Sequence, residues 1–486
     1  MTSLPNKRLK RVLVVAYVFP PSGGAGVQRI TKFVRYLPEL GWDCSVLTVA
    51  NPSVPVQDSS LLEEIPEDIV IRRAKTLEPG YKFKNSVSAA TFSGNNRSSL
   101  KNAVKSVVKR AIRSAGNAVL HPDAQVLWYL DAVKQGKRLL KDMHHDAILV
   151  TAPPFSAFLV GKALSKFSGL PLILDYRDEW GISNRYQENR QRNPIANWIQ
   201  RRQQRSVLRT ARSVIATTKR SDESLRELVN ESRSHATVSC IYNGYDQNDI
   251  DKTKESSTEN LNASNELKHA EDRKFRLAYV GTLWNLTSIE PVVAAIQAIA
   301  STDADLVSRL ELVIAGRRTG EQDAVLDRLN ELPCVVKREG YVPHKRAIEI
   351  MNSADSLSLL LSDVEEAGRV MPAKTFEYMA LRKPILNVSP EGEITEVIRD
   401  CPFAESFVPS DVSGIANYLR AGLRGELAST TTSTDDGWTP SQYERKSLCK
   451  QLSNVLDYAC SAANRERAAI NGDLESSSRL HSGATL

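Results

Sequence analysis

Residues 368–384 read GRVMPAKTFEYMALRKP, and the fold of the chain is read outward from this stretch. A proline such as Pro372 suits the first position of a helix, and residues 374–380 then carry Phe376, Met379 and Ala380 at helical spacing around one acid, Glu377. An acid among apolar neighbours is costly unless something uses it. The following run, 384–388, is short, apolar and β-prone. The local unit is therefore loop, helix, strand, with a helix N-terminus placed to receive an anion such as a phosphate.

The same alternation surrounds it. Strand-like 275–281, a helix over 289–299, strand-like 311–316, a helix around Leu326, strand-like 335–340, a helix over 343–352 and strand-like 356–361 imply a parallel sheet. An earlier series starts with a strand over 11–16 and the loop Phe19-Pro20-Pro21-Ser22-Gly23-Gly24-Ala25-Gly26. A helical pattern follows, with Val27, Ile30, Phe33, Val34 and Leu37 on one side. Gly23 and Gly24 let backbone N–H groups approach an anion closely. A dinucleotide site would want an acid about 20 positions onward, at the end of the second strand. That strand, 44–49, ends in Ala50-Asn51, which counts against a nicotinamide enzyme.

Composition narrows the classes. A chain of 486 residues that is 41% hydrophobic can bury more than one core, and two domains are expected. The net charge of +7 is modest, and its basic residues gather in two regions, 101–113 and 185–212, which favours anionic ligands or lipid surfaces over nucleic acid. The six cysteines, Cys44, Cys240, Cys334, Cys401, Cys449 and Cys460, include no Cys-x-x-Cys, so neither a metal site nor a disulfide framework is expected and a reducing cytoplasm fits. Lys7, Arg8, Lys10 and Arg11 precede the apolar run 12–19 as in a secretory signal. No small-x-small cleavage site follows, and the run leads into a glycine loop and an amphipathic helix, as a buried first strand does. No apolar stretch approaches the roughly 20 residues that span a bilayer.

Phe376-Glu377-Tyr378-Met379-Ala380 resembles the donor-site signature of family-4 glycosyltransferases of the two-domain GT-B type. In that family a glutamate at the place of Glu377 accepts hydrogen bonds from the ribose hydroxyls of a nucleotide-sugar, and a second glutamate eight positions earlier touches the transferred sugar. Position 369 is Arg here. Either the loop presents Glu365 or Glu366, or Arg369 takes another role. The loop with Phe19-Pro20-Pro21, Gly23, Gly24, Arg29 and Lys32 resembles the family's opening, which lies beside the donor phosphates. His121-Pro122-Asp123, Trp128, Thr151-Ala152-Pro153-Pro154 and Asp175-Tyr176-Arg177-Asp178-Glu179-Trp180 follow in the order of a subgroup with an Arg-Asp-x-Trp motif. Asn243-Gly244-Tyr245-Asp246 resembles its hinge turn, and Tyr279-Val280-Gly281-Thr282, Ile314-Ala315-Gly316 and Gly340-Tyr341-Val342-Pro343 resemble successive turns of its donor half.

The resemblance implies two Rossmann-like parallel-sheet α/β domains facing a cleft, with a last helix crossing back onto the first domain. It also implies a retaining, metal-independent transfer of a hexose from a nucleotide-sugar to a glycan or lipid-linked acceptor, in cell-surface polysaccharide or glycolipid biosynthesis. No cofactor is implied beyond the nucleotide-sugar co-substrate. Gly23, Gly24, Gly281, Thr282, Arg317, Arg369, Lys374 and Glu377 are the expected donor-binding residues. Family members often place an Arg and a Lys soon after the Gly281 position. Residues 282–290 contain neither, which turns attention to Arg317 and Lys374 as the charge that meets a diphosphate. Asp178 and Arg177 are the expected catalytic residues, with Asp178 near the acceptor hydroxyl and Arg177 orienting it or binding an anion. The plainer readings put Asp178 in a buried ion pair with the neighbours of Arg177 and leave Arg318 facing water. Two rivals are a sugar-nucleotide epimerase of the same fold and a non-catalytic pseudo-transferase, the latter motivated by Arg369 and the missing basic pair.

The expected layout is an acceptor-side domain over 1–250 with an insertion at 81–118, a linker over 251–274 and a donor domain over 275–428. A connection over 429–441, a helix over 442–462 and a disordered tail over 463–486 complete it. Within the insertion, residues 101–113 set Val104, Val107, Val108, Ala111 and Ile112 against Lys101, Lys105, Lys109, Arg110 and Arg113. This is either a solvated helix or one that lies on an anionic membrane, peripheral to the inner face. The basic stretch 185–212 reads as a solvated helix.

Overall fold

A computed structural model describes residues 9–53, 57–78, 121–182, 194–252, 273–427 and 438–482. The chain divides into two compact units. One comprises 1–217, 221–241 and 449–486, and the other 218–220 and 242–448.

The first unit is built on a seven-stranded parallel sheet in the order β3-β2-β1-β4-β5-β6-β7. Its strands are β1 (Lys10–Ala16), β2 (Trp42–Val49), β3 (Val70–Ala74), β4 (Ala147–Ala152), β5 (Leu172–Tyr176), β6 (Ala211–Ala216) and β7 (Thr237–Cys240). The centre of β1 is apolar without alternation because helices cover both faces of a parallel sheet, and Val12 to Ala16 are wholly buried. The helix Ala25–Tyr36 turns Val27, Ile30, Phe33 and Val34 into the core, as the spacing requires. β3 escaped the sequence reading. It is an edge strand with Val70 exposed and Arg72 and Arg73 in its middle, so its apolar signal is short.

The second unit carries a six-stranded parallel sheet in the order β10-β9-β8-β11-β12-β13. These strands are β8 (Phe275–Val280), β9 (Leu310–Ala315), β10 (Val335–Glu339), β11 (Ser356–Leu360), β12 (Ile385–Val388) and β13 (Ala404–Phe407). Two hydrophobic clusters pack it, one around Phe376, Tyr378 and Met379 and the other around Val292, Val293, Ile296 and Leu419.

In both units the order of strands reverses beside the first strand of the series. β1 lies between β2 and β4, and β8 between β9 and β11. Crevices outside the carboxyl ends of strands open at such points, and the glycine turns after β1 and β8 sit there.

The last helix, Arg445–Ser482, is longer than the expected 442–462. Residues 463–482, expected to be disordered, are helical. Continuing a helix that is already nucleated and packed costs far less than starting one. From Cys449 onward this helix belongs to the first unit, where Cys449, Leu452, Leu456 and Ala459 are wholly buried and Asp457 accepts hydrogen bonds from Lys10 (2.6 Å) and Trp42 (3.2 Å). No helix among the described residues is long and apolar enough to cross a membrane. The helix expected over 101–113 lies outside the described residues.

Candidate functional site

In the second unit, β8 ends in a turn that only glycine fits. Gly281 has φ +147°, and a Cβ there would stand 2.8 Å from Lys374 Nζ. Gly316, at φ +138°, closes against it, since a Cβ would collide with the Gly281 carbonyl oxygen. Both positions combine a conformation rare for other residues with a close approach. The helix Lys374–Leu381 anchors the turn from the other side. Tyr378 Oη accepts from the Val280 amide (3.2 Å), and Tyr279 Oη donates to the Thr282 carbonyl (2.9 Å). Lys374 Nζ lies 3.4 Å from the centroid of the Tyr279 ring.

The structure thus brings Gly281, Thr282 and Lys374 together. Burial holds the Lys374 ammonium well below the usual lysine range, and Glu377, one turn along the helix, pulls in the opposite direction. Glu377 lines a small cavity of about 10 Å³ with Asp246, Asp249, His344 and apolar neighbours. His344 Nε2 lies 3.3 Å from Asp249 Oδ2. Burial works against its imidazolium, but the Asp249 hydrogen bond and the Glu377 charge prevail and raise its pKa.

The other expected donor-side cations stand differently. Arg317 is exposed, and its backbone carbonyl accepts from the Leu283 amide (2.8 Å), which places it beside the Gly281 turn. Arg318 does not face water. Its guanidinium pairs with Asp323 (2.8 Å) and donates to the carbonyls of Gly316 (3.3 Å) and Glu339 (2.7 Å), so it braces the turn. Arg369 pairs with Glu366 (2.7 Å), so one of the acids considered for the missing glutamate is engaged by the arginine that replaces it.

In the first unit, Gly24 precedes the helix Ala25–Tyr36 with φ +106°, and no atom lies within 4 Å of where its Cβ would be. Its requirement is conformational and not steric. The close approach falls instead on Gly26, where a Cβ would collide with Arg177 Nη1. Arg177 donates to the carbonyls of Gly26 and Pro153, tying the first turn of this helix to the loop after β4. Gly23 is half-buried in the loop after β1.

The acids of 175–179 separate by burial. Asp178 is exposed, so the plainer reading of it as one half of a buried pair does not hold. The buried acid is Asp175, which pairs with Arg29 (2.9 Å) and accepts from Thr151 Oγ1 (2.8 Å). The reason is the length of β5, which runs to Tyr176 and carries Asp175 inside the sheet. Glu179 accepts from Ser221 (2.8 Å) and Ser224 (3.0 Å), and Trp180 stacks on Phe155 at 4.7 Å. Lys32, the other basic residue of the opening helix, is buried against Glu64 at 2.8 Å. Sequence spacing held no sign of the Arg29–Asp175 pair, because its partners are distant in the chain and meet only across the sheet.

Residues 274–424 match the family model described as "Glycosyl transferases group 1". The fold is similar to that of Anabaena Alr3699/HepE in complex with UDP and glucose, at 15% identity and TM-score 0.50 over 96% of this chain and 100% of that one. It is similar to lipopolysaccharide outer core galactosyltransferase WaaB in its apo form, at 12% identity and TM-score 0.51 over 92% of this chain and 99% of that one. It is also similar to alpha,alpha-trehalose 6-phosphate synthase from Burkholderia multivorans, at 11% identity and TM-score 0.56 over 93% of this chain and 100% of that one. No curated protein matches the sequence.

Proposed function

We propose that this chain, whose second unit carries a glycosyl transferases group 1 domain, moves a hexose from a nucleotide-sugar to a glycan or lipid-linked acceptor. The observation that carries the reading is the meeting of Lys374 with the Gly281 turn, one helical turn from Glu377. A departing nucleoside diphosphate develops negative charge, which Lys374 and the turn's backbone N–H groups would meet. A bound diphosphate would restore the proton affinity that burial removes from Lys374. Glu377 would accept from paired ribose hydroxyls, and exposed Arg317 would add charge from the neighbouring turn. Arg369, held by Glu366, would position that acid or meet the sugar.

In the first unit, Asp178 would face the acceptor hydroxyl. Arg177 would act as a positioning residue, since its guanidinium is spent on the carbonyls of Gly26 and Pro153. Gly23 and Gly24 would let the loop backbone close on the donor. We read the reaction as retaining and metal-independent, of the family-4 type, serving cell-surface polysaccharide or glycolipid biosynthesis at the cytoplasmic face of a membrane. A panel of nucleotide-sugars, with UDP-glucose first, tests this by thermal shift and donor hydrolysis. Anomeric configuration of the product and insensitivity to a chelator test the finer points. Glu377→Ala should weaken donor binding by about 10- to 100-fold, since hydrogen bonds to a charged group contribute roughly 1.5–3 kcal/mol. Unchanged affinity in a folded variant would remove Glu377 from the site.

A further inference from the structure

The helix Pro194–Leu208, PIANWIQRRQQRSVL, contains no acid. Its Ala196, Gln200, Val207 and Leu208 are buried. The opposite face gathers Trp198, Arg201, Arg202 and Arg205, and Arg209 follows just beyond the helix at the spacing that keeps it on that face. Trp198 is 63% exposed and Ile195 67%. The Arg202 guanidinium lies 5.9 Å from the Trp198 ring centroid. Trp198, Arg201, Arg202, Arg205, Ser206 and Arg209 line a groove of about 350 Å³. Glu231 approaches Arg205 only to 3.9 Å, and Lys162 donates to Ser206, adding a cation at the edge.

We propose that this face docks on an anionic bilayer surface, with Trp198 and Ile195 entering the boundary between headgroups and acyl chains and the arginines engaging lipid phosphates. A solvated helix accounts for the arginines but leaves a tryptophan and an isoleucine in water. A soluble polyanion without bases to stack on tryptophan has no use for those two side chains, and an apolar protein partner has none for a cluster of arginines. The bilayer interface is the environment that takes both kinds of group together. Arginine forks match phosphate oxygens in pairs, and each basic group near an anionic surface multiplies partition about fivefold.

The test is sedimentation of the full chain with phosphatidylcholine vesicles, with and without phosphatidylglycerol, and with no nucleotide-sugar present. Failure here therefore leaves the transfer reading untouched. The protein should sediment with phosphatidylglycerol vesicles only, and salt should release it. Replacing Arg201 and Arg205 together by Gln should weaken binding about 25-fold. Brominated lipid should quench part of the wild-type tryptophan emission, and Trp198→Phe should remove that quenching while circular dichroism stays unchanged. The proposal is overturned if wild type ignores phosphatidylglycerol vesicles or the double variant binds as wild type does. It is equally overturned if binding disappears only when Lys105, Lys109 and Arg110 are changed to Glu.

Discussion

Asp123 and His145 are both buried in the first unit and titrate in opposite senses. Burial raises the Asp123 carboxyl to about 6, although the Ser156 amide donates to it at 2.9 Å. Burial lowers His145 to about 4. Its Nδ1 lies 3.0 Å from the Met143 carbonyl, which can only accept, so Nδ1 carries the proton and Nε2 accepts from Ser45 Oγ at 2.6 Å. Between about pH 4 and pH 6 the folded state holds the Asp123 proton that the unfolded state has lost, so this group's contribution falls as pH rises. His145 does the reverse, because the unfolded imidazole binds a proton that the folded one refuses. The two slopes oppose each other. Asp123→Asn should leave the His145 slope exposed, so that the variant gains up to roughly 3 kcal/mol on wild type between pH 4 and pH 7, read from denaturant melts across that range.

The acids of β5 and its loop give a second test at this scale. Asp175→Asn breaks a buried pair with Arg29 and should cost about 3–5 kcal/mol. Asp178→Asn, at an exposed position, should change stability by less than about 0.5 kcal/mol while lowering transfer. Equal destabilisation in both would undo this division of roles.

Among the elements, the helix Arg445–Ser482 matters most to the first unit. Leu452 and Leu456 are wholly buried, so either Leu→Ala change should cost about 2–5 kcal/mol. Its start is tied by backbone: the Arg445 amide donates to the Tyr245 carbonyl (2.8 Å), and the Tyr245 amide donates to that of Tyr443 (3.1 Å). These hydrogen bonds all lie within the second unit. The helix Lys374–Leu381 was legible in the sequence because its apolar spacing and its acid stand close together. The extension beyond Ala463 was not, since a polar segment continues a packed helix for reasons of cooperativity that local hydrophobicity does not register.

For the whole molecule, the division into two units predicts that damage to one leaves the other's ligand response in place. Ending the chain after residue 448 removes the buried side chains from Cys449 onward and should lower the first unit's melting transition. The second unit should still be stabilised by a nucleotide that binds it. Calorimetry with and without UDP reads both. Loss of the nucleotide shift in a truncated chain whose second transition survives would show that the second unit does not bind nucleotide independently.

By itself the sequence determined the alternation of strands and helices, the glycine turns after β1 and β8, and the grouping of Lys374 with Glu377. Each of these depends on residues a few positions apart, where periodicity and backbone sterics act locally. Tertiary structure alone decided which charges are spent. Arg29 is bound to Asp175, and Arg177 to the carbonyls of Gly26 and Pro153. It also decided that Trp198 would lie open among arginines. A buried charge takes the partner that the packing of distant strands supplies, because leaving it unpaired out of water is costly, and no spacing along the chain encodes that choice.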